Sequence, residues 1–171
     1  QFAMVPMNLL GSGQVADYTN SGSWAKKAIA TAKQIGDVNV AADSADDRPT
    51  RVPDRGELNL TNGAAYLHIT TNETISGAQW QALPDCKAPL VADMSSDILS
   101  RPMDYGRFAL FYAGAQKNLG PAGTTLVGIR RDLADESGEH LPGILRYKPH
   151  VDDDSMHNTP PCFAIYMLML V

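Results

Sequence analysis

The sequence predicts an α/β domain built on a mixed, mostly parallel sheet flanked by helices. Three observations predict it. Four short runs are apolar on both faces, as strands buried inside a parallel sheet are. They stand roughly 15 to 20 residues apart, the room a short crossover needs, except for a closer last pair that suits an antiparallel hairpin. Helical spacing of apolar residues marks one segment before these runs, and a capped apolar segment follows them.

Taken in order, "QFAMVPMNLL" reads as a strand, and "LLGSGQVA" (Leu9 to Ala16) carries the spacing G-x-G-x-x-A. That spacing is the dinucleotide fingerprint, and it opens a rival reading: a nicotinamide-dependent enzyme using the Gly11–Gly13 loop. The fingerprint needs a helix to open at once, so that its amino end meets the pyrophosphate. Here "ADYTNSGS" follows, rich in turn formers, and it reads as a glycine loop and its continuation. In "SGSWAKKAIATAKQIG", Trp24, Ala25, Ala28, Ile29, Ala32 and Ile35 recur at helical spacing, and Gly36 is placed to end the helix. "VNVAAD" is a short strand, and "DSADDRPTRVPDRGE" (Asp43 to Glu57) an exposed loop.

The four apolar runs are "AAYLHIT" (Ala64 to Thr70), "APLVAD" (Ala88 to Asp93), "RFALFYAG" (Arg107 to Gly114) and "TTLVGIR" (Thr124 to Arg130). "HVDDDSMH" (His150 to His157) holds metal-ligating residue types but reads as a solvated acidic loop, so no metal is expected. A last helix is expected from "NTPPCFAIYMLML", with Asn158 or Thr159 as its cap and prolines in its first turn.

Composition bounds the function. The 171 residues suffice for one domain with a real core, and 44% apolar with 19% charged residues is the balance of a globular protein. A net charge of −5 without any basic cluster argues against nucleic acid as a partner. No apolar stretch reaches the roughly 20 residues of a membrane span. Two cysteines, Cys86 and Cys162, make no disulfide framework, which points to a reducing cytoplasm. No nucleophile elbow or triphosphate-binding glycine loop occurs.

In an α/β sheet, ligands bind beyond the carboxyl ends of the strands. Thr74, Asp93 and Lys117 stand just there. An amine and a carboxylate at neighbouring strand ends are what pyridoxal phosphate needs. The amine bonds to its aldehyde, and the carboxylate keeps its ring nitrogen protonated so that the ring accepts electrons. Trp24 supplies an aromatic face to cover that ring. The pattern alone leaves a plainer alternative open, in which Asp93 starts a turn and Lys117 is an ordinary solvated lysine.

The motifs go further. "FYAGAQKNLGPAGTTLVGIR" closely resembles the lysine segment of the phosphoserine aminotransferases, class V aminotransferases of the fold-type I pyridoxal phosphate group. "ADYTNSGSWAKKAI", "AAYLHITTNETISG", "VADMSSDILSRPMD" and "NTPPCFAIY" resemble that family's segments in the family's order. Only the stretches around residues 37–57 and 132–154 are hard to match. Family members are about twice as long, so residues 1–171 are expected to be a fragment of the cofactor-binding large domain, truncated at both ends. The amino-terminal segment and the small carboxy-terminal domain would then be absent.

The resemblance implies roles for individual residues. Lys117 would bind the cofactor covalently, Asp93 would pair with its ring nitrogen and Trp24 would stack on the ring. Thr74 would bond its phenolic oxygen and Gln116 its phosphate. Asn158 and Thr159, opening the last helix, would reach the phosphate of a partner subunit's cofactor in a homodimer. The implied reaction moves an amino group between L-glutamate and 3-phosphohydroxypyruvate, giving O-phospho-L-serine and 2-oxoglutarate in serine biosynthesis. The same family also acts on a phosphorylated hydroxythreonine in vitamin B6 synthesis. Another outcome is that the isolated fragment is only an inactive structural piece. Two family positions differ here, Thr71 in "TNET" and Cys162 in "PPC", and neither is an expected ligand.

Overall fold

The computed structural model describes residues 1–45, 50–136 and 138–171. Its strands are Val15–Asn20 (β1), Asp37–Asp43 (β2), Leu67–Thr70 (β3), Leu90–Asp93 (β4), Leu110–Gly114 (β5) and Thr125–Ile129 (β6). They form one sheet in the order β2-β1-β3-β4-β5-β6. Neighbours from β2 to β5 run parallel, and β5 with β6 is antiparallel. The mixed, mostly parallel sheet is therefore as expected, down to its hairpin. Among the described residues five α-helices accompany it: Met4–Leu9 (α1), Ser23–Ala32 (α2), Arg131–Asp135 (α3), Tyr147–Asp152 (α4) and Cys162–Met169 (α5). Among the described residues, no helix is long and apolar enough to cross a membrane.

Strand register decides what faces the site. Tyr18 pairs with His68, Thr70 with Asp93, and Asp93 with Tyr112, so these side chains share one face of the sheet. That face packs against Val5 of α1, Ala28, Ile29 and Ala32 of α2, and Tyr147 of α4. Small alanines bring the α2 backbone close to the strands, and their high helix propensity suits the same segment. The opposite face, with Leu67, Ile69 and Ala92, is covered by Trp80, Met94, Ile98 and Phe108. Those covering residues come from the segments after β3 and β4, and Leu168 of α5 packs against the same cluster.

Four expectations need correction. "QFAMVPMNLL" is not a strand, because its centre is α1. Pro6 stands in that helix's first turn, where a missing N–H loses no internal bond. The turn-rich "ADYTNSGS" holds all of β1 but its first residue, and that strand has neighbours on both sides. Its buried Asp17 is tolerated because Oδ1 accepts from Asn39 Nδ2 (2.9 Å) and Oδ2 from Thr61 N (2.8 Å). The last helix begins at Cys162, with Pro161 as its cap, so neither Asn158 nor Thr159 opens it. Each residue before a proline is steered away from helical angles, and Thr159 and Pro160 both stand there. Finally, "HVDDDSMH" starts inside α4 rather than in a loop, and α3 also lies in a stretch given no element. Part of the expected loop at Asp43 to Glu57, residues 46–49, lies outside the described residues; a short 3-10 turn, Arg55–Glu57, closes that stretch.

The glycine fingerprint is settled by order. Gly11 to Gly13 joins the end of α1 to the start of β1, the reverse of strand, glycines, helix. No helix amino end meets that loop, so it offers no pyrophosphate seat.

Candidate active site

Three strand ends and one helix build the site. Lys117 lies in a tight turn after β5, closed by Leu119 N and Gly120 N donating to Ala115 O (3.1 and 2.9 Å). Gly120 (φ 148°) and Gly123 (φ 113°) take backbone angles that side chains resist, which returns the chain into β6. Lys117 Nζ donates to Thr74 Oγ1 at 2.6 Å and lies 4.6 Å from the centre of the Trp24 indole. Thr74 comes from the loop after β3 and Trp24 from the first turn of α2. Trp24, Asp93, Ser95, Tyr112, Gln116 and Lys117 line one cavity of about 380 Å³. The structure thus brings Lys117, Asp93, Trp24 and Gln116 to one cavity, with Thr74 on the lysine amine.

Asp93 ends β4 and is buried. Oδ1 accepts from Ser95 N (2.9 Å), and Ser95 Oγ accepts from Gly114 N (3.0 Å), tying the ends of β4 and β5 together. Burial pushes the Asp93 carboxyl above its ordinary value. The Ser95 hydrogen bonds and the nearby Lys117 charge pull the other way, and the charge of Glu73 adds to the rise. Such a carboxylate has a standing demand for a cation.

Glu73 is the functional residue that the sequence reading missed. It is fully buried, and its carboxylate accepts from Trp24 N (3.0 Å) and Ala25 N (2.9 Å), with Ser21 Oγ at 3.4 Å. These are the unpaired N–H groups at the start of α2, a helix with no acid in its own first turn and Gly22 at its cap. A carboxylate there also meets the positive end of the helix dipole. A side chain at Gly22 would meet Glu73 Cδ at 2.8 Å, so the approach requires glycine. Glu73 therefore fixes where Trp24 stands. The loop after β3 is anchored in turn to the one after β4: Thr71 Oγ1 donates to Asp97 Oδ1 (2.5 Å), and Asn72 Nδ2 to Ser96 Oγ (2.9 Å). One signal was available in the sequence, a lone acid in "TNET" directly after a buried strand.

Asn158 and Thr159 are exposed and are not brought to Lys117. Asn158 borders a separate cavity of about 610 Å³ with Tyr147, His150 and Thr124. In "HVDDDSMH", His157 Nδ1 pairs with Asp153 Oδ2 at 2.9 Å. Cys86 and Cys162 are unpaired, Cys86 half-buried and Cys162 exposed.

The residues around Lys117 fit pyridoxal phosphate. Among the described residues the buried Asp93 forms no ion pair, Trp24 presents an indole to the same cavity, and the Lys117 amine meets the Thr74 hydroxyl. A ring carrying a protonated nitrogen, an aldehyde and a phenolic oxygen has a counterpart for each group.

Comparisons with known proteins agree. The aminotransferase class-V family matches residues 1–171. The phosphoserine aminotransferase of Niallia circulans is 56% identical over 169 residues, spanning 98% of this chain and 47% of its own length. The solved phosphoserine aminotransferase of Bacillus circulans subsp. alkalophilus has a TM-score of 0.95 at 56% identity, over 98% of this chain and 47% of that one. The pyridoxal-phosphate-bound phosphoserine aminotransferase of Trichomonas vaginalis has a TM-score of 0.91 at 38% identity, over 98% of this chain and 48% of that one. The chain spans about half the length of the curated relatives it matches. On its sequence, its sheet and its lysine cavity alike, this chain belongs to the aminotransferase class-V family.

Proposed function

We propose that residues 1–171 form the cofactor-binding part of a pyridoxal-phosphate-dependent phosphoserine aminotransferase. Its substrates are L-glutamate and 3-phosphohydroxypyruvate, and its products O-phospho-L-serine and 2-oxoglutarate. One observation carries the reading: Lys117 Nζ rests on Thr74 Oγ1 and the Trp24 indole, in the cavity that the buried Asp93 also lines. Relatives at 56% and 52% identity that bear this name support the choice of substrates.

Bound pyridoxal phosphate supplies an aldehyde that condenses with amines and a ring that accepts electrons. The chain does the rest. Lys117 would hold the cofactor and, once free as a neutral amine, would take a proton from the substrate's α-carbon. Asp93 keeps the ring nitrogen protonated, and burial strengthens that pairing by excluding water. Thr74 exchanges its Lys117 contact for the phenolic oxygen. Trp24, braced by Glu73, limits the ring's tilt, and Gln116 binds the phosphate. Asn158 and Thr159 serve the phosphate of a partner subunit's cofactor in a homodimer, which accounts for their distance from Lys117. The unpaired Cys86 and Cys162 support a cytoplasmic setting.

The test uses the full-length protein with added pyridoxal phosphate. It is expected to form O-phospho-L-serine from L-glutamate and 3-phosphohydroxypyruvate, and Lys117→Ala to lower the rate by about 10²- to 10⁴-fold or more. A Lys117→Ala protein turning over near the normal rate contradicts the reading.

A further inference from the structure

Ser95 touches both halves of the lysine cavity, and the proposed reaction gives it no part. It lines that cavity together with Asp93 and Lys117. Its N–H donates to Asp93 Oδ1 at 2.9 Å, and its Oγ accepts from Gly114 N at 3.0 Å. Gly114 ends β5, three residues before Lys117. One residue therefore holds the acid directly and also the strand end that leads into the turn of the amine.

We infer that Ser95 is a positioning residue, which sets the Asp93 carboxylate and the Lys117 turn at one fixed spacing across the cavity. The inference rests on the reading of this cavity as a cofactor site. The lengths of the two strands explain the arrangement. β4 stops at Asp93, while β5 runs on to Gly114 in the register that pairs Asp93 with Tyr112. Met94 N still donates to Tyr112 O at 2.8 Å. One step further along, Gly114 N meets the serine oxygen, where a longer β4 would present a carbonyl. A backbone N–H needs such a partner, so the serine oxygen fixes the height at which β5 gives way to the lysine turn.

The same residue acts on charge. Burial raises the Asp93 carboxyl, and the hydroxyl and N–H of Ser95 both lower it. Ser95 thus favours the charged carboxylate in the place where it holds it. The lysine turn has a second tie to this segment, because Asn118 Nδ2 donates to Ile98 O. Loss of the serine oxygen therefore shifts the near end of the turn without releasing the far end. The expected effect is partial, since a misplacement of about 1 Å costs up to about 100-fold in rate.

Two measurements on the full-length protein test this. In the cofactor-free form, hydrogen exchange at the Gly114 amide should be about 10-fold faster in Ser95→Ala, the loss of one hydrogen bond. With pyridoxal phosphate bound, Ser95→Ala should lower kcat by about 10- to 100-fold. The rate difference between ordinary and α-deuterated L-glutamate should grow, because proton transfer becomes the slower step. Ser95→Cys keeps the shape but is a weak acceptor, and it should follow Ser95→Ala in both measurements. Ser95→Thr keeps the oxygen and should recover the slow exchange and most of the rate. A lower melting temperature with kcat and the deuterium effect unchanged would mean packing alone, and overturns the inference with the cofactor reading intact. Unchanged Gly114 exchange in Ser95→Ala and Ser95→Cys overturns it as well. A parent protein with no visible cofactor band removes both the inference and the reading beneath it.

Discussion

Asp93 carries an electrostatic conflict that its proposed role explains. Burial raises its carboxyl above the ordinary 3.8, so the folded, cofactor-free chain binds that proton more tightly than the unfolded chain does. Its contribution to stability is therefore present below 3.8 and is lost as pH rises from there through the raised value. Asp93→Asn keeps an oxygen for Ser95 N and removes the charge. Denaturant unfolding of the cofactor-free protein should show Asp93→Asn at least as stable as the parent at neutral pH, with a flatter pH dependence through that window. The same substitution should lower turnover by about 10²-fold or more, since the ring loses its counter-charge. An unchanged rate would remove Asp93 from its role. Glu73 serves structure instead, its carboxylate accepting from the amide groups of α2. Glu73→Ala should destabilise the protein by about 1–3 kcal/mol, the usual loss for buried hydrogen bonds to a charged group. It should also weaken cofactor binding by freeing Trp24, which titration of the visible band would measure.

At the scale of elements, the strands that build the site were legible and the short helices were not. β3, β4 and β5 are apolar on both faces, with acid, hydroxyl and amine at their carboxyl ends, so pattern and chemistry agreed. β1 was hidden because Asp17, Thr19 and Asn20 are polar, and what permits them is tertiary: Asn39 and Thr61 satisfy Asp17. α1 was mistaken for a strand because a six-residue apolar helix has too few turns to display a period. Trp24 and Lys117 were found individually. The bracing of Trp24 by Glu73 was missed, because it joins residues 49 and 48 positions apart. The strand reading also yields a quantitative expectation. Ile69 is fully buried on the loop-covered face of β3, and Ile69→Ala should cost about 2–5 kcal/mol in a denaturant titration. A loss under half a kcal/mol, roughly the effect of a neutral surface change, would contradict the packing described for that face.

For the whole molecule, the exposed apolar side chains on α5 bear on assembly. Phe163, Tyr166 and Met169 are 72%, 54% and 70% exposed, just beyond the Asn158 and Thr159 that the proposal gives to a partner's site. Apolar exposure of this kind suits an interface. If sites are shared across a two-fold axis, a Lys117→Ala subunit and an Asn158→Ala/Thr159→Ala subunit each lack a different part. Mixing the two full-length variants should regain about a quarter of parental activity, since half of the dimers are hybrids with one whole site of two. Persistent inactivity of the mixture would place Asn158 and Thr159 outside a shared site.

The central claim is that one flat cofactor lies between the Lys117 amine, the Asp93 carboxylate and the Trp24 indole. Borohydride reduction of the full-length protein with bound pyridoxal phosphate, followed by peptide mass mapping, tests it most directly. The account predicts the added cofactor mass on Lys117 and its loss in Lys117→Ala. A cofactor fixed to Lys26, Lys27 or any other lysine, with Lys117 unmodified, would contradict it.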